Sequence, residues 1–168
     1  MNTTTSAGRW LMCGIGDRLL AVPLGSVVET MRPLPLEEFS DVPDFVLGVS
    51  VIRGAVVPVI SVDSVLGGHR SRPGRFVTIR LENRVIALAV DAVLGVRTLD
   101  EADVHDVPPL LGSLDQSAVS AIGTLDAALL LVLGDARLVP EAVWARLEES
   151  ARLRNPVLAG SPEPVTAS

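Results

Sequence analysis

Residues 9–23, RWLMCGIGDRLLAVP, are two apolar runs joined by Gly16-Asp17, and the same pattern returns without a gap as residues 75–89, RFVTIRLENRVIALA. Laid over each other, Arg9 meets Arg75, Trp10 meets Phe76, Leu11 meets Val77, Asp17 meets Asn83 and Arg18 meets Arg84. Leu19-Leu20-Ala21-Val22 then meets Val85-Ile86-Ala87-Leu88, and Val27 meets Val93. Each run is rich in the branched and aliphatic residues that suit a pleated, half-buried surface. Gly16, Asp17 and Asn83 tolerate positive φ, so each two-residue connection reads as a hairpin turn. The predicted hairpins are Arg9–Ile15 with Arg18–Pro23, and Arg75–Leu81 with Arg84–Val90.

A second correspondence follows. Gly48 to Ile60 runs parallel to Ala121 to Leu133, at a spacing longer by seven residues, which places an insertion near Arg97 to Leu114. The economical explanation is an internal duplication of ~70 residues. Each half then holds about five short strands, and closing them into a small barrel removes the exposed edges and encloses one apolar face. Pro58, inside a strand run, predicts an edge or bulge position. Ser26–Met31 and Ala92–Val96 fit either a helical turn or a continuing strand.

Outside the halves, Ala136 to Arg154 has the i, i+3, i+4 apolar spacing of a helix that packs Val143, Trp144 and Leu147 on the core. Gly67 to Gly74 reads as the linker between the halves. Residues 1–8 and 156–168 are small and polar, and are expected to be disordered. One domain over 9–155 remains, with barrel halves of roughly 9–66 and 75–140 by sequence and room for strands to exchange between them.

The chain has 168 residues, 48% hydrophobic and 20% charged, enough to bury about two-thirds of its unfolded surface. Its charge is −6, from 14 Arg, no Lys and 20 acids, so it gains nothing from neutralising phosphates and nucleic acid is not an expected partner. Val46–Val62 is the most hydrophobic window, but Arg53, Gly54 and Pro58 interrupt it and no span of ~20 apolar residues exists. The expectation is a soluble cytoplasmic protein with no membrane insertion. A single cysteine, Cys13, excludes an intrachain disulfide and a cysteine metal cage, and its apolar neighbours predict a buried, inert thiol.

No catalytic, cofactor or metal site is expected. His69 and His105 stand apart from any metal-ligand spacing, and Gly-x-Ser-x-Gly and phosphate-cradling loops are missing. Asp100, Glu101, Asp103 and Asp106 read as a solvated acidic loop, and Glu37-Glu38 as an exposed face. A surface for a partner is left. Arg53 lies between Ile52 and Gly54 in the most apolar stretch, either as the exposed residue of a tight turn or as a guanidinium displayed there for a partner. Glu29, among Val27, Val28 and Met31, is either the polar face of an amphipathic turn or a charge rimming an apolar groove.

The order of residues 9–35, 42–67, 75–99 and 121–139 resembles the CheW-type chemotaxis coupling proteins, over about residues 9–140. Three signals carry the resemblance: Val27-x-Glu29, the segment Gly48-Val49-x-x-x-Arg53-Gly54-x-x-x-Pro58-Val59, and Val90-Asp91-x-Val93. It implies an all-β fold of two small five-stranded SH3-like barrels related by internal pseudo-symmetry, plus the short C-terminal helix. It also implies a non-enzymatic adaptor that couples the cytoplasmic tips of methyl-accepting chemoreceptors to the regulatory domain of a CheA-type histidine kinase, with recruitment to membrane receptor arrays. The receptor's helical hairpin is expected in the groove between the barrels, with the kinase adding barrel to barrel. On that pattern Val27, Glu29, Arg53, Gly54, Asp91 and Val93 are the partner-binding residues. The chain departs from the family pattern at Val51, where an Asn is usual, at Ser61-Val62-Asp63, where Asp-Leu-Arg is usual, and at Thr30, where an aliphatic is common. The alternatives are a free-standing ligand-binding barrel, which an apolar pocket with a few polar groups would favour, and an adaptor for a non-chemotactic kinase pathway.

Overall fold

The computed structural model describes residues 8–38, 40–68, 72–100, 103–106, 119–126, 128–133, 139 and 141–154, without the side chains of 106, 119–121 and 150–154. Both predicted hairpins form. β1 (Gly8–Ile15) pairs antiparallel with β2 (Arg18–Pro23), and Gly8, expected in the N-terminal segment, opens the first strand. A 3-10 turn, Leu24–Ser26, leads into β3 (Val27–Met31), followed by β4 (Val46–Ile52), β5 (Ala55–Ser61) and the short helix α1 (Val62–Val65). The second hairpin is β6 (Arg75–Leu81) and β7 (Arg84–Val90), after which come β8 (Ala92–Leu99), β9 (Val104–Asp106), β10 (Val119–Leu125) and β11 (Ala128–Leu133). The two segments that fit helix or strand are resolved as strands, β3 and β8.

The strands form two sheets, ordered β8-β1-β2-β11-β10-β9 and β3-β6-β7-β5-β4. Read side by side, β8 takes the place of β3, β1 of β6, β2 of β7, β11 of β5 and β10 of β4, so the duplication in the sequence is a duplication in space. The sheets differ in size, six strands against the five expected of each half. The additional strand is β9, drawn from the insertion, and it pairs with β10 through Val104, His105 and Asp106. In the second sheet that place is taken by a single bridge, in which Glu37 and Val49 exchange both backbone hydrogen bonds at 2.8 and 2.9 Å.

Strands are exchanged between the sequence halves. After each hairpin the chain crosses to the other sheet, so that β3 pairs with β6 and β8 pairs with β1. Both pairings carry a register shift, between Val27 and Glu29 in one and between Met12 and Cys13 in the other. Each sheet encloses its own core. Phe76, Leu47, Ile52, Val57 and Val59 fill the second, while Met12, Ala21, Leu99, Leu130 and Val132 fill the first, with half-buried Trp10 against them. Burial of each large apolar side chain contributes about 1.5–3 kcal/mol relative to leaving it in water.

Two local expectations are corrected. Pro58 is neither on an edge strand nor at a register shift: β5 lies between β7 and β4, and Pro58 faces Val49. Val49 spends its N–H and C=O on Glu37, so the Val49–Pro58 pair needs no donor from the proline. The β7 ladder begins only at Val59, which leaves the proline nitrogen unchallenged on that side too. In the β6–β7 turn it is Glu82, with φ 53°, that takes the left-handed conformation, not Asn83. The turn requires positive φ at its first central residue, the place Gly16 fills with φ 58° in the β1–β2 turn.

From Val139 onward the chain is a separate unit containing α2 (Glu141–Arg154). Among its described side chains Val143 and Leu147 are the buried ones, and Trp144 is half-buried. Among the described residues no helix is long and apolar enough to cross a membrane. Residues 1–7, the central part of the linker (69–71) and residues 155–168 lie outside the described residues.

Candidate functional site

Arg53 and Gly54 are the two central residues of the β4–β5 hairpin turn, with φ of 50° and 77°. Positive φ at both positions makes this the tight turn whose twist matches its strands. The turn stands beside β3. There the guanidinium grips Glu29 with a two-pronged bond: Nε donates to Oε1 at 2.9 Å and Nη2 to Oε2 at 2.7 Å. Arg53 remains 78% exposed at the side chain while Glu29 is 24% exposed, so the acid forms the base of the pair and the arginine its outer face. The hydrogen bonds from Arg53, then its charge, hold the Glu29 carboxyl below the usual carboxylate range against the opposing effect of partial burial. The same bonds push the guanidinium above its ordinary value, so it stays charged.

Only two of the five N–H donors of a guanidinium are used on Glu29, which leaves Nη1 and the outer hydrogen of Nη2 for another acceptor. The strands that carry the pair also bear exposed apolar side chains. Val51 (63%) and Val56 (46%) face each other across the hairpin one pair back from its turn, and Val28 (47%) stands at the register shift of β3. Val51, a departure from the family pattern, is thus on the surface, two residues before Arg53.

Sequence reasoning named Val27, Glu29, Arg53, Gly54, Asp91 and Val93 as partner-binding. The structure brings Glu29 and Arg53 into contact, with Gly54 in the same turn and half-buried Val27 at the start of β3. Val93 stands near the beginning of β8, in the other sheet, and Asp91 is the residue that connects β7 to β8. Asp91 is engaged within the chain, its Oδ2 accepting from Gly16 N–H at 2.6 Å and its own N–H bonding Gly14 C=O at 3.0 Å. It therefore ties the chain's crossing between sheets to the β1–β2 turn.

Residues 9–143 match the family model described as the CheW-like domain. The chain belongs to the CheW-like family. Among characterised relatives, "Protein FrzA" of Myxococcus xanthus is 30% identical over 143 residues, covering 83% of this chain and 84% of that protein. "Chemotaxis protein CheW" of Rhizobium meliloti is 28% identical over 133 residues, 77% of this chain and 86% of its own. Among solved structures, the scaffolding protein TtCheW from Thermoanaerobacter tengcongensis superposes with a TM-score of 0.67 at 21% identity, over 76% of this chain and 89% of that one. The expected fold, two small SH3-like β units and a short helix, is the fold of this CheW-like domain.

Three features of the domain escaped the sequence reading. Arg18 bridges from β2 to α1, donating to Asp63 at 2.9 Å and to the Leu66 carbonyl at 3.3 Å. Ser61, another departure, caps α1 by accepting the Ser64 N–H. The third is an ion pair in the first sheet, Arg97 to Asp126 at 3.1 Å. Asp126 occupies the place in the β10–β11 connection that Arg53 occupies in β4–β5, so the two sheets carry strand-to-turn pairs of opposite polarity. Arg97 and Asp126 themselves line a groove of about 300 Å³, together with Met12, Leu19, Leu94, Val96 and Leu125. Opposite charges far apart in sequence were the only signal for these pairs.

Proposed function

We propose that this CheW-like protein is a non-enzymatic adaptor joining the tips of methyl-accepting chemoreceptors to the regulatory domain of a CheA-type histidine kinase. The observation that carries the reading is the Glu29–Arg53 pair, a mostly exposed guanidinium held by a bidentate bond on a two-residue turn. An arginine fixed in this way presents its remaining donors in one orientation, so a partner carboxylate or carbonyl meets a preformed site and less side-chain entropy is lost on binding. The exposed Val28, Val51 and Val56 supply the apolar surface beside it. A charged anchor beside apolar contacts is the usual anatomy of an interface core and rim. Val27, Gly54, Asp91 and Val93 complete the proposed partner surface, Asp91 by holding the crossing strand in place. The place of action is the cytoplasm, with recruitment to receptor arrays at the membrane.

The test is calorimetric titration of the chain with the regulatory domain of its own organism's CheA-type kinase, and separately with a receptor-tip hairpin. Saturable binding that Arg53→Glu weakens by ~10-fold or more, with the thermal midpoint nearly unchanged, supports the proposal. Binding that Arg53→Glu leaves intact removes Arg53 from the interface.

The groove of about 300 Å³ favours a second reading, a small-molecule site in the first sheet, although it stands at the lower limit of ligand pockets.

A further inference from the structure

We infer that Thr78 is the positioning residue of the Glu29–Arg53 pair: its hydroxyl clamps the Glu29 backbone and so sets where the carboxylate meets the guanidinium. The inference deepens the adaptor reading and rests on it for the consequence in binding, whereas the positioning itself is measurable without any partner.

Thr78 lies in the middle of β6 between the fully buried Val77 and Ile79, and is itself 1% exposed. A hydroxyl in such surroundings is costly unless it is hydrogen-bonded. It accepts the Glu29 N–H at 3.1 Å and donates to the Glu29 C=O at 3.2 Å. Glu29 is the residue at which the β3–β6 ladder resumes after its register shift. A shift of this kind takes backbone groups out of the regular ladder and lets the strand bend. The hydroxyl binds both polar groups of one residue and removes that freedom where the carboxylate is attached.

The other sheet is an internal control. Its β8 pairs with β1 through a register shift at the corresponding place, with Met12 opposite Gly95 where Thr78 stands opposite Glu29. The shift forms there with an apolar side chain, so the hydroxyl is not what makes it. What differs is the load on the strand. Gly95 carries no side chain, and the ion pair of that sheet is a single contact between Arg97 and Asp126, with both side chains more than half exposed. A two-pronged Arg–carboxylate bond tolerates far less sliding of its strand than a single exposed contact. The threonine stands under a strand that has to hold such a bond.

The experiment uses full-length protein with Thr78→Val and Thr78→Ser, following the Glu29 carboxyl by NMR titration. Thr78→Val is expected to raise the Glu29 midpoint to the value found in Arg53→Gly, while Thr78→Ser keeps it low. A folded Thr78→Val protein with an unchanged Glu29 midpoint overturns the inference, because the threonine would then be structural only. A second measurement covers the case in which Thr78→Val does not fold: amide exchange of Glu29 in Arg53→Gly. Protection within ~3-fold of wild type supports the clamp, and loss of protection shows that the ion pair holds the strand instead. Titration of each variant with the kinase regulatory domain separates the two claims. A shifted Glu29 midpoint with undiminished affinity keeps the positioning role and counts against the adaptor reading of the pair.

Discussion

Gly48→Ala and Gly54→Ala both place a Cβ at a positive φ, 142° and 77° respectively, yet their surroundings are opposite. At Gly54 a Cβ meets nothing within 4 Å. The cost there is the left-handed backbone alone, about 1 kcal/mol. At Gly48 the new carbon runs into the backbone carbonyl of Glu37, the residue whose bridge to Val49 closes the second sheet. Backbone cannot rotate aside as a side chain does, so the segment before β4 has to move away. That adds to a strain of about 1–3 kcal/mol the loss of two hydrogen bonds worth about 1 kcal/mol each. The sum is about 3–5 kcal/mol. For a chain of this length each kcal/mol moves the midpoint by about 2–4 °C. Thermal unfolding followed by circular dichroism should therefore show losses of ~6–20 °C for Gly48→Ala and ~2–4 °C for Gly54→Ala. Equal losses in the two variants would refute the argument that Glu37 packs directly on Gly48.

The remaining predictions concern titrating and charged groups. Burial pushes the Cys13 thiol up to about 12, so a thiol reagent at pH 8 should not label the native protein and should label it in urea. Because burial favours the neutral thiol, this contribution to stability is complete below pH 9.0 and is lost as pH rises through the native value. Glu29 has the opposite sign: its lowered carboxyl contributes above 4.5 and the contribution fades as pH falls through the native value. The acid limb of the stability profile should accordingly be flatter in Arg53→Gly. Arg18→Ala removes bonds to Asp63 and to the Leu66 carbonyl and should lower the thermal midpoint by ~2–4 °C, about 1 kcal/mol.

Much of the fold was legible because its units are local. Each hairpin is two apolar runs and a two-residue turn, and comparing residues 9–23 with 75–89 exposed the duplication without any long-range information. The destination of β3 and β8 was not legible. Each carries its own apolar pattern, and nothing within it says whether the partner is the neighbouring hairpin or the distant one. Pro58 misled because the usual meaning of a strand proline assumes a demand for its N–H, and Glu37 cancels that demand from another segment. At the site, Arg53 stood out as a charge within an apolar stretch, and Glu29 as an acid among aliphatics. Their contact joins residues 24 positions apart and needed the folded sheet to appear. Thr78 gave one faint signal, a hydroxyl between Val77 and Ile79, and its partner is a backbone that no sequence pattern identifies.

The most direct test of the adaptor account is reconstitution. Kinase autophosphorylation is measured with the organism's CheA-type kinase and receptor-bearing membranes, with and without this chain. The account predicts that the wild-type chain makes kinase activity receptor-dependent and that Arg53→Glu does not. Kinase activity that is the same with and without the wild-type chain would contradict it.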